Sequence, residues 1–205
     1  MKKILILAAA LMLAASSCAF AVPIVLPEPQ KSGGPGLFDM LSKRASAQQQ
    51  DFTKEELTLN ELSTLLWAAT GQNREPKGWT VPMAMGRDPY VSVYVMLKDG
   101  GYLYNWEKNA LIEINADKRA LKRTVNQDYA KTAPCILVFV DRGVINMNGF
   151  GELATGAMSQ NVYLAAAALG LDARFIASFN RAAIEESLNL GPVMNVVGVM
   201  AVGRQ

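Results

Sequence analysis

The sequence predicts a single domain in which helices pack on a sheet, and three stretches carry that reading. Residues 156–171 lose almost every polar side chain after Asn161, which suits a helix buried in the middle of a domain. Gly170 stands where such a helix stops in the left-handed conformation, and residues 173–179 follow at once with the apolar content of a strand. Residues 134–140 are continuously apolar, the pattern of a buried strand. At 205 residues, 51% of them hydrophobic, the chain can bury one sizeable core. The alanines at 165–168 favour helix and are small, so a neighbouring element, including one from a second subunit, can approach the helix backbone closely.

The start of the chain is of another kind. Lys2 and Lys3 precede an apolar run at 4–15, and Ala19-Phe20-Ala21 offers small residues for cleavage, so residues 1–21 read as a secretory signal peptide. The run is too short to span a bilayer comfortably. The expected location is therefore periplasmic or secreted, with a lipid anchor at Cys18 as the alternative, although Ala15-Ser16-Ser17 is a poor match to the sequence that precedes a lipidated cysteine. Removing 1–21 takes two lysines and no acid from 20 basic and 18 acidic residues. The mature charges balance, which argues against nucleic acid as a partner. Cys135 is then the only thiol, no intramolecular disulfide can form, and its apolar setting reads as an inert buried cysteine.

Residues 22–36 carry Pro23, Pro27, Pro29 and Pro35 with Gly33 and Gly34, and read as an extended arm without regular structure, of the kind that wraps a partner subunit. Residues 37–205 form the domain. Leu37, Phe38, Met40 and Leu41 suggest a short amphipathic helix, and 47–50 a polar loop. Thr58, with Glu61 three residues on, is a capping box opening a helix that buries Leu62, Leu65, Leu66 and Ala69 and ends at Gly71. Residues 73–89 have no periodicity, and loops of that length are usually functional. Residues 90–97 alternate as a strand, Asp99-Gly100 reads as the hairpin turn and 101–104 as the return. A third strand is expected at 111–114 and a charged, solvated helix over 117–131. Residues 146–151 turn into the central helix, and a short helix at 184–188 precedes a last strand at 193–202.

The chain has no histidine, which excludes Ser-His-Asp and Cys-His catalysis and every histidine-containing metal site. One thiol is too few for zinc–thiolate or iron–sulfur sites, so no metal is expected. If the protein is an enzyme, a bound organic cofactor carries the chemistry, and no catalytic residue can be assigned.

Residues 62–69 with 71–74, 93–104, Gln160-Asn161 through Ala166 with 169–171, and the closing Val197-Gly198 form a combination of stretches. Together they resemble the nitroreductase family of FMN-dependent oxidoreductases, especially the subgroup that includes azoline-oxidising dehydrogenases of modified-peptide biosynthesis. The resemblance implies an α+β fold with a central mixed or antiparallel sheet flanked by helices. It also implies a homodimer joined through the long helix, with two FMN molecules at the interface. Such enzymes act by ping-pong transfer of hydride and electrons, here to a small-molecule or peptide substrate. A flavin-free descendant serving as a binding or accessory module is the alternative.

The same resemblance assigns cofactor residues. The family's Arg-x-Ser-x-Arg element, which clamps the phosphate and ribityl end, falls on Arg44, Ser46 and Gln48, with Gln48 replacing the second arginine. The loop along the flavin ring falls on Pro82, Met83, Ala84 and Met85. Here Trp79 replaces an arginine and Met83 a serine. Trp79, Met83 and Met85 are read either as core filling or as packing on a planar ring. The backbone facing flavin N5 falls on Ala177 and Ser178, and Arg204 stands in for a basic C-terminal element. These departures imply weaker FMN binding than is usual in the family.

Overall fold

The strand-forming runs all pair with one another. The computed structural model describes residues 22–145 and 148–205, with the backbone alone for Met85. Its strands are β1 (Ile24–Val25), β2 (Val91–Leu97), β3 (Gly100–Asn105), β4 (Ala110–Asn115), β5 (Cys135–Asp141), β6 (Asp172–Ile176) and β7 (Asn195–Gly203). They form one sheet in the order β1-β4-β3-β2-β5-β7-β6, and every neighbouring pair is antiparallel. The signal-peptide reading of 1–21 and the lipid-anchor reading at Cys18 lie outside the described residues.

Alternation along the strands sorts side chains into two cores. Val91, Val93 and Val95 of β2 join Cys135, Leu137 and Phe139 of β5 on one face. Tyr94 and Met96 join Ile136, Val138 and Val140 on the other. Both faces of β5 are covered, which is why its sequence is an unbroken apolar run. Helices α2 (Leu59–Thr70) and α4 (Phe150–Leu169) pack on the first face, and the short α3 (Ala120–Thr124) and α5 (Arg181–Leu188) on the second. Helix α1 (Leu37–Lys43) lies against α4. The fold is thus α+β, an antiparallel sheet flanked by helices.

The caps explain where the main helices begin and end. The Thr58 side chain accepts the Glu61 amide while Glu61 reaches back to the Thr58 amide, so both ends of the capping box are made. Gly170 closes α4 in the left-handed region at φ 69°. Met158, Val162 and Ala166 bury the inner face of α4. Leu153, Gly156, Gln160 and Ala168 leave the opposite face open, with Leu153 71% exposed.

Four elements differ from the sequence reading. The arm is not wholly irregular: Pro23 and Pro27 bracket residues whose amides are free to bond, so Ile24–Val25 joins the edge of its own sheet against β4. Ser63 Oγ and Asn109 Nδ2 both donate to the Pro27 carbonyl, and the Gln30 amide donates to Thr64, so the first half of the arm lies on its own protomer. The β2–β3 turn is Lys98-Asp99, one residue earlier than expected, because Leu97 already pairs with Gly100. Gly100 is required by a close approach, since a Cβ there would sit 2.1 Å from the Asn115 carbonyl oxygen. The charged stretch at 117–131 yields only α3 and a single turn at Tyr129–Thr132, with Val125 between them extended and bridged to Phe179. In α1 only Met40 is buried, while Leu37, Phe38 and Leu41 point outward.

Candidate functional site

Tyr163, on α4, is the hub of the segment that carries Arg44 and Ser46. Its hydroxyl accepts the Phe175 amide of β6 at 2.8 Å and lies 3.1 Å from Ser46 Oγ. The Arg44 guanidinium sits over its ring, 5.3 Å from the centroid, a cation–π arrangement. The Ala47 amide donates to the Ala173 carbonyl at 2.8 Å, so residues 44–48 run beside β6. Arg44 has no carboxylate partner among the described residues. A cavity of about 210 Å³ opens here, with Lys43, Ser46, Gln48, Tyr163, Asp172 and Gln205 in its wall.

Gln48 itself is fastened through its backbone. Gln205 Oε1 accepts its amide at 2.8 Å, while Gln205 Nε2 donates to the carbonyls of Gln48 and Gln50 at 3.0 and 2.8 Å. The Gln205 amide donates to Asp172 Oδ2 at 2.9 Å, which occupies one carboxylate oxygen in that wall. Arg204 turns elsewhere: its guanidinium pairs with Glu61 and with Glu55, the latter at 3.3 Å. Burial raises the pKa of Glu61, but bonds from the Thr58 amide and hydroxyl together with Arg204 outweigh it and hold the carboxyl below its ordinary range.

The loop residues lie across α4 from this cavity. Asn161 Nδ2 donates to the carbonyls of Ala68 and Thr80, at 3.0 and 3.1 Å, and so fixes the chain just before Pro82. Asn161 and Tyr163 are two residues apart, about 200° around a helix, and therefore hold the two groups of candidate residues on opposite flanks of α4. Pro82 is exposed, Met83 and Ala84 are half-buried against the core, and Met85 lies in the single turn Ala84–Gly86. Trp79 is core: it is 7% exposed, edge-on to Trp106 at 5.9 Å, with its Nε1 unpartnered among the described residues. Ala177 and Ser178 are exposed just past β6, and the Ser178 carbonyl accepts from Gln127 at 3.0 Å. Within one protomer, then, Arg44, Ser46 and Gln48 come together, while Pro82 to Met85 lie on the other flank of α4 and the Arg204 guanidinium is directed away to Glu55 and Glu61.

Sequence reasoning gave no role to Lys43, Tyr163 or Gln205. Lys43 directly precedes Arg44, and Tyr163 lies in the helix stretch that carried the resemblance, two residues after Asn161. No pattern in the sequence pointed to Gln205, whose side chain bonds Gln48 and Gln50, more than 150 residues away.

Lys43, Ser46 and Tyr163 thus share one cavity wall, with Arg44 over the Tyr163 ring. The model of the nitroreductase family matches residues 41–204. A candidate nitroreductase of Methanocaldococcus jannaschii is 29% identical over 170 residues, 75% of this chain and 84% of that protein. The crystal structure of a candidate nitroreductase from Ralstonia eutropha JMP134 is 33% identical, with a TM-score of 0.80 over 89% of each chain. A candidate nitroreductase of Desulfovibrio desulfuricans, solved in complex with FMN, is 20% identical with a TM-score of 0.62, over 84% of this chain and 87% of that one. With the family model spanning most of its length and the fold matching at these scores, this chain belongs to the nitroreductase family.

Proposed function

We propose that the chain is an exported, homodimeric FMN-dependent oxidoreductase of the nitroreductase type. One observation carries the reading: Lys43, Ser46 and Tyr163 line one cavity, and Arg44, without a carboxylate partner among the described residues, sits over the Tyr163 ring next to it. Two cationic side chains, with the one hydroxyl hydrogen that the Ser46–Tyr163 bond leaves over, form a donor set suited to a phosphate. FMN, when bound, would supply the hydride and electron transfer, which is the cofactor's chemistry and not that of the surrounding side chains.

The residues of the chain bind and orient. Tyr163 holds Ser46 in place and packs under Arg44, and Arg44 with Lys43 balances phosphate charge. Pro82, Met83, Ala84 and Met85 are the proposed lining of the ring, and the backbone of Ala177 and Ser178 its proposed neighbour near N5. Because these groups lie on opposite flanks of α4, the complete site needs a partner protomer. The open face of α4 between the flanks, from Leu153 through Gly156 and Gln160 to Ala168, is where we place the partner. A two-fold axis running close to the helix direction sets the Ser46 flank of one protomer beside the Pro82 flank of the other. The substrate class is a small molecule or a peptide, and azoline oxidation is one form of the peptide case.

Two features favour a second reading, a flavin-free accessory module. Arg204 is committed to Glu55 and Glu61, and the family's second arginine is replaced by Gln48. The test is steady-state turnover of the purified mature protein with saturating FMN, a reductant and a nitroaromatic acceptor. Parallel reciprocal plots support the ping-pong oxidoreductase, and absence of turnover in a folded dimer supports the module.

A further inference from the structure

A second cavity lies between the 51–56 segment, the start of α3 and the chain entering β5, and none of the residues proposed for flavin lines it. Its volume is about 490 Å³, within the range of roughly 300–1,000 Å³ usual for sites that hold organic molecules. Phe52, Leu121, Ala133 and Pro134 give it an apolar floor, and the first three of these belong to the core on the α3 and α5 side of the sheet. The walls are tied together, since the Phe52 amide donates to Thr132 Oγ1 at 2.8 Å and Thr132 Oγ1 donates to the Tyr129 carbonyl at 2.6 Å.

The rim is strongly cationic. Lys54, Lys98, Lys118, Lys122 and Lys131 surround the floor, against Asp51 and Glu56 as the only carboxylates in the lining. These are five of the nine lysines that follow residue 21, in a sequence whose charges balance beyond that point. Lys98 pairs with Glu56, and Lys131 with Asp128 at 2.8 Å. Lys54, Lys118 and Lys122 have no carboxylate partner among the described residues. An apolar floor below three unpaired ammonium groups complements a molecule with an apolar body and one anionic end.

We propose that this cavity binds a small amphipathic organic anion, a carboxylate or sulfonate carried on an acyl or aryl body, independently of the flavin site. The test is fluorescence titration of the mature protein with 1-anilinonaphthalene-8-sulfonate at low ionic strength, followed by competition with decanoate and with decanol. The expected result is saturable binding at one site per chain, displaced by decanoate and not by decanol. Lys118→Glu with Lys122→Glu should weaken both anions about tenfold, with an unchanged melting temperature, and Arg44→Ala should leave both unaffected. Both lysines are exposed, and Lys54→Glu is a second variant should the double substitution disturb folding. Unchanged affinity in the lysine variants, or equal displacement by decanol, overturns the proposal. So does loss of binding on adding FMN, or displacement by poly-glutamate where decanoate fails, which reassigns the surface to an acidic peptide.

Discussion

Ser46 Oγ and Tyr163 Oη lie 3.1 Å apart, and the same phenol accepts the Phe175 amide at 2.8 Å. One side chain therefore ties the 44–48 segment, α4 and β6 together at the proposed phosphate end. Tyr163→Phe removes both bonds while keeping the ring under Arg44. The expected loss is about 1–2 kcal/mol of stability, because the Phe175 amide is left without its acceptor, together with about tenfold weaker FMN binding. Chemical denaturation and a flavin titration measure the two effects separately.

The Glu61–Arg204 pair predicts a specific acid limb in the stability curve. Glu61 is held below its ordinary pKa of 4.5 in the fold, so the stability it adds is fully present above the unfolded value and is lost as pH falls through the folded one. Glu61→Gln can keep the reach back to Thr58 but cannot titrate. Urea midpoints should show the parent more stable by about 1 kcal/mol near neutral pH, with the gap shrinking below pH about 4.5. A gap that stays constant into acid would remove the ionic account.

The exposed apolar residues predict association. Leu153 on the open face of α4 is 71% exposed, and Phe38 and Leu41 on α1 are 84% and 48% exposed, apolar surface that a second copy would cover. Sedimentation of the mature protein at micromolar concentration should give a dimer, and Leu153→Glu should shift it towards monomer with its secondary structure intact. A parent that sediments as a monomer would remove the shared site as well.

Cys135 should be silent towards thiol reagents. It is fully buried on β5, and burial pushes its thiol pKa up to about 12. A disulfide reagent should label it only in denaturant, at a rate that follows unfolding.

The fold was readable where one local signal decided the outcome. Thr58 and Glu61 set the start of α2, Gly170 the end of α4, and the unbroken run of β5 its burial on both faces. The Lys98-Asp99 turn was misplaced because Gly100 looked like a turn residue, whereas the nearby Asn115 carbonyl is what excludes a side chain there. The outward face of α1 could not be foreseen, since its pattern does not show which neighbour covers it. In the candidate site, Arg44 and Ser46 were nominated by their family spacing, and the structure sets both against Tyr163. Tyr163 and Gln205 were not, because they act through contacts over 117 and 157 residues of chain. The fate of Arg204 was equally hidden, since its partners Glu55 and Glu61 are far from it in sequence.

The most direct measurement is the affinity of the purified mature protein for FMN, read by quenching of flavin fluorescence, in the parent and in Arg44→Ala. The account predicts saturable binding to the parent, with one flavin per chain, weakened at least about tenfold by the substitution, the size of one charged hydrogen bond to phosphate. Equal affinity in parent and variant, or no binding by a folded dimer at high micromolar FMN, would contradict it.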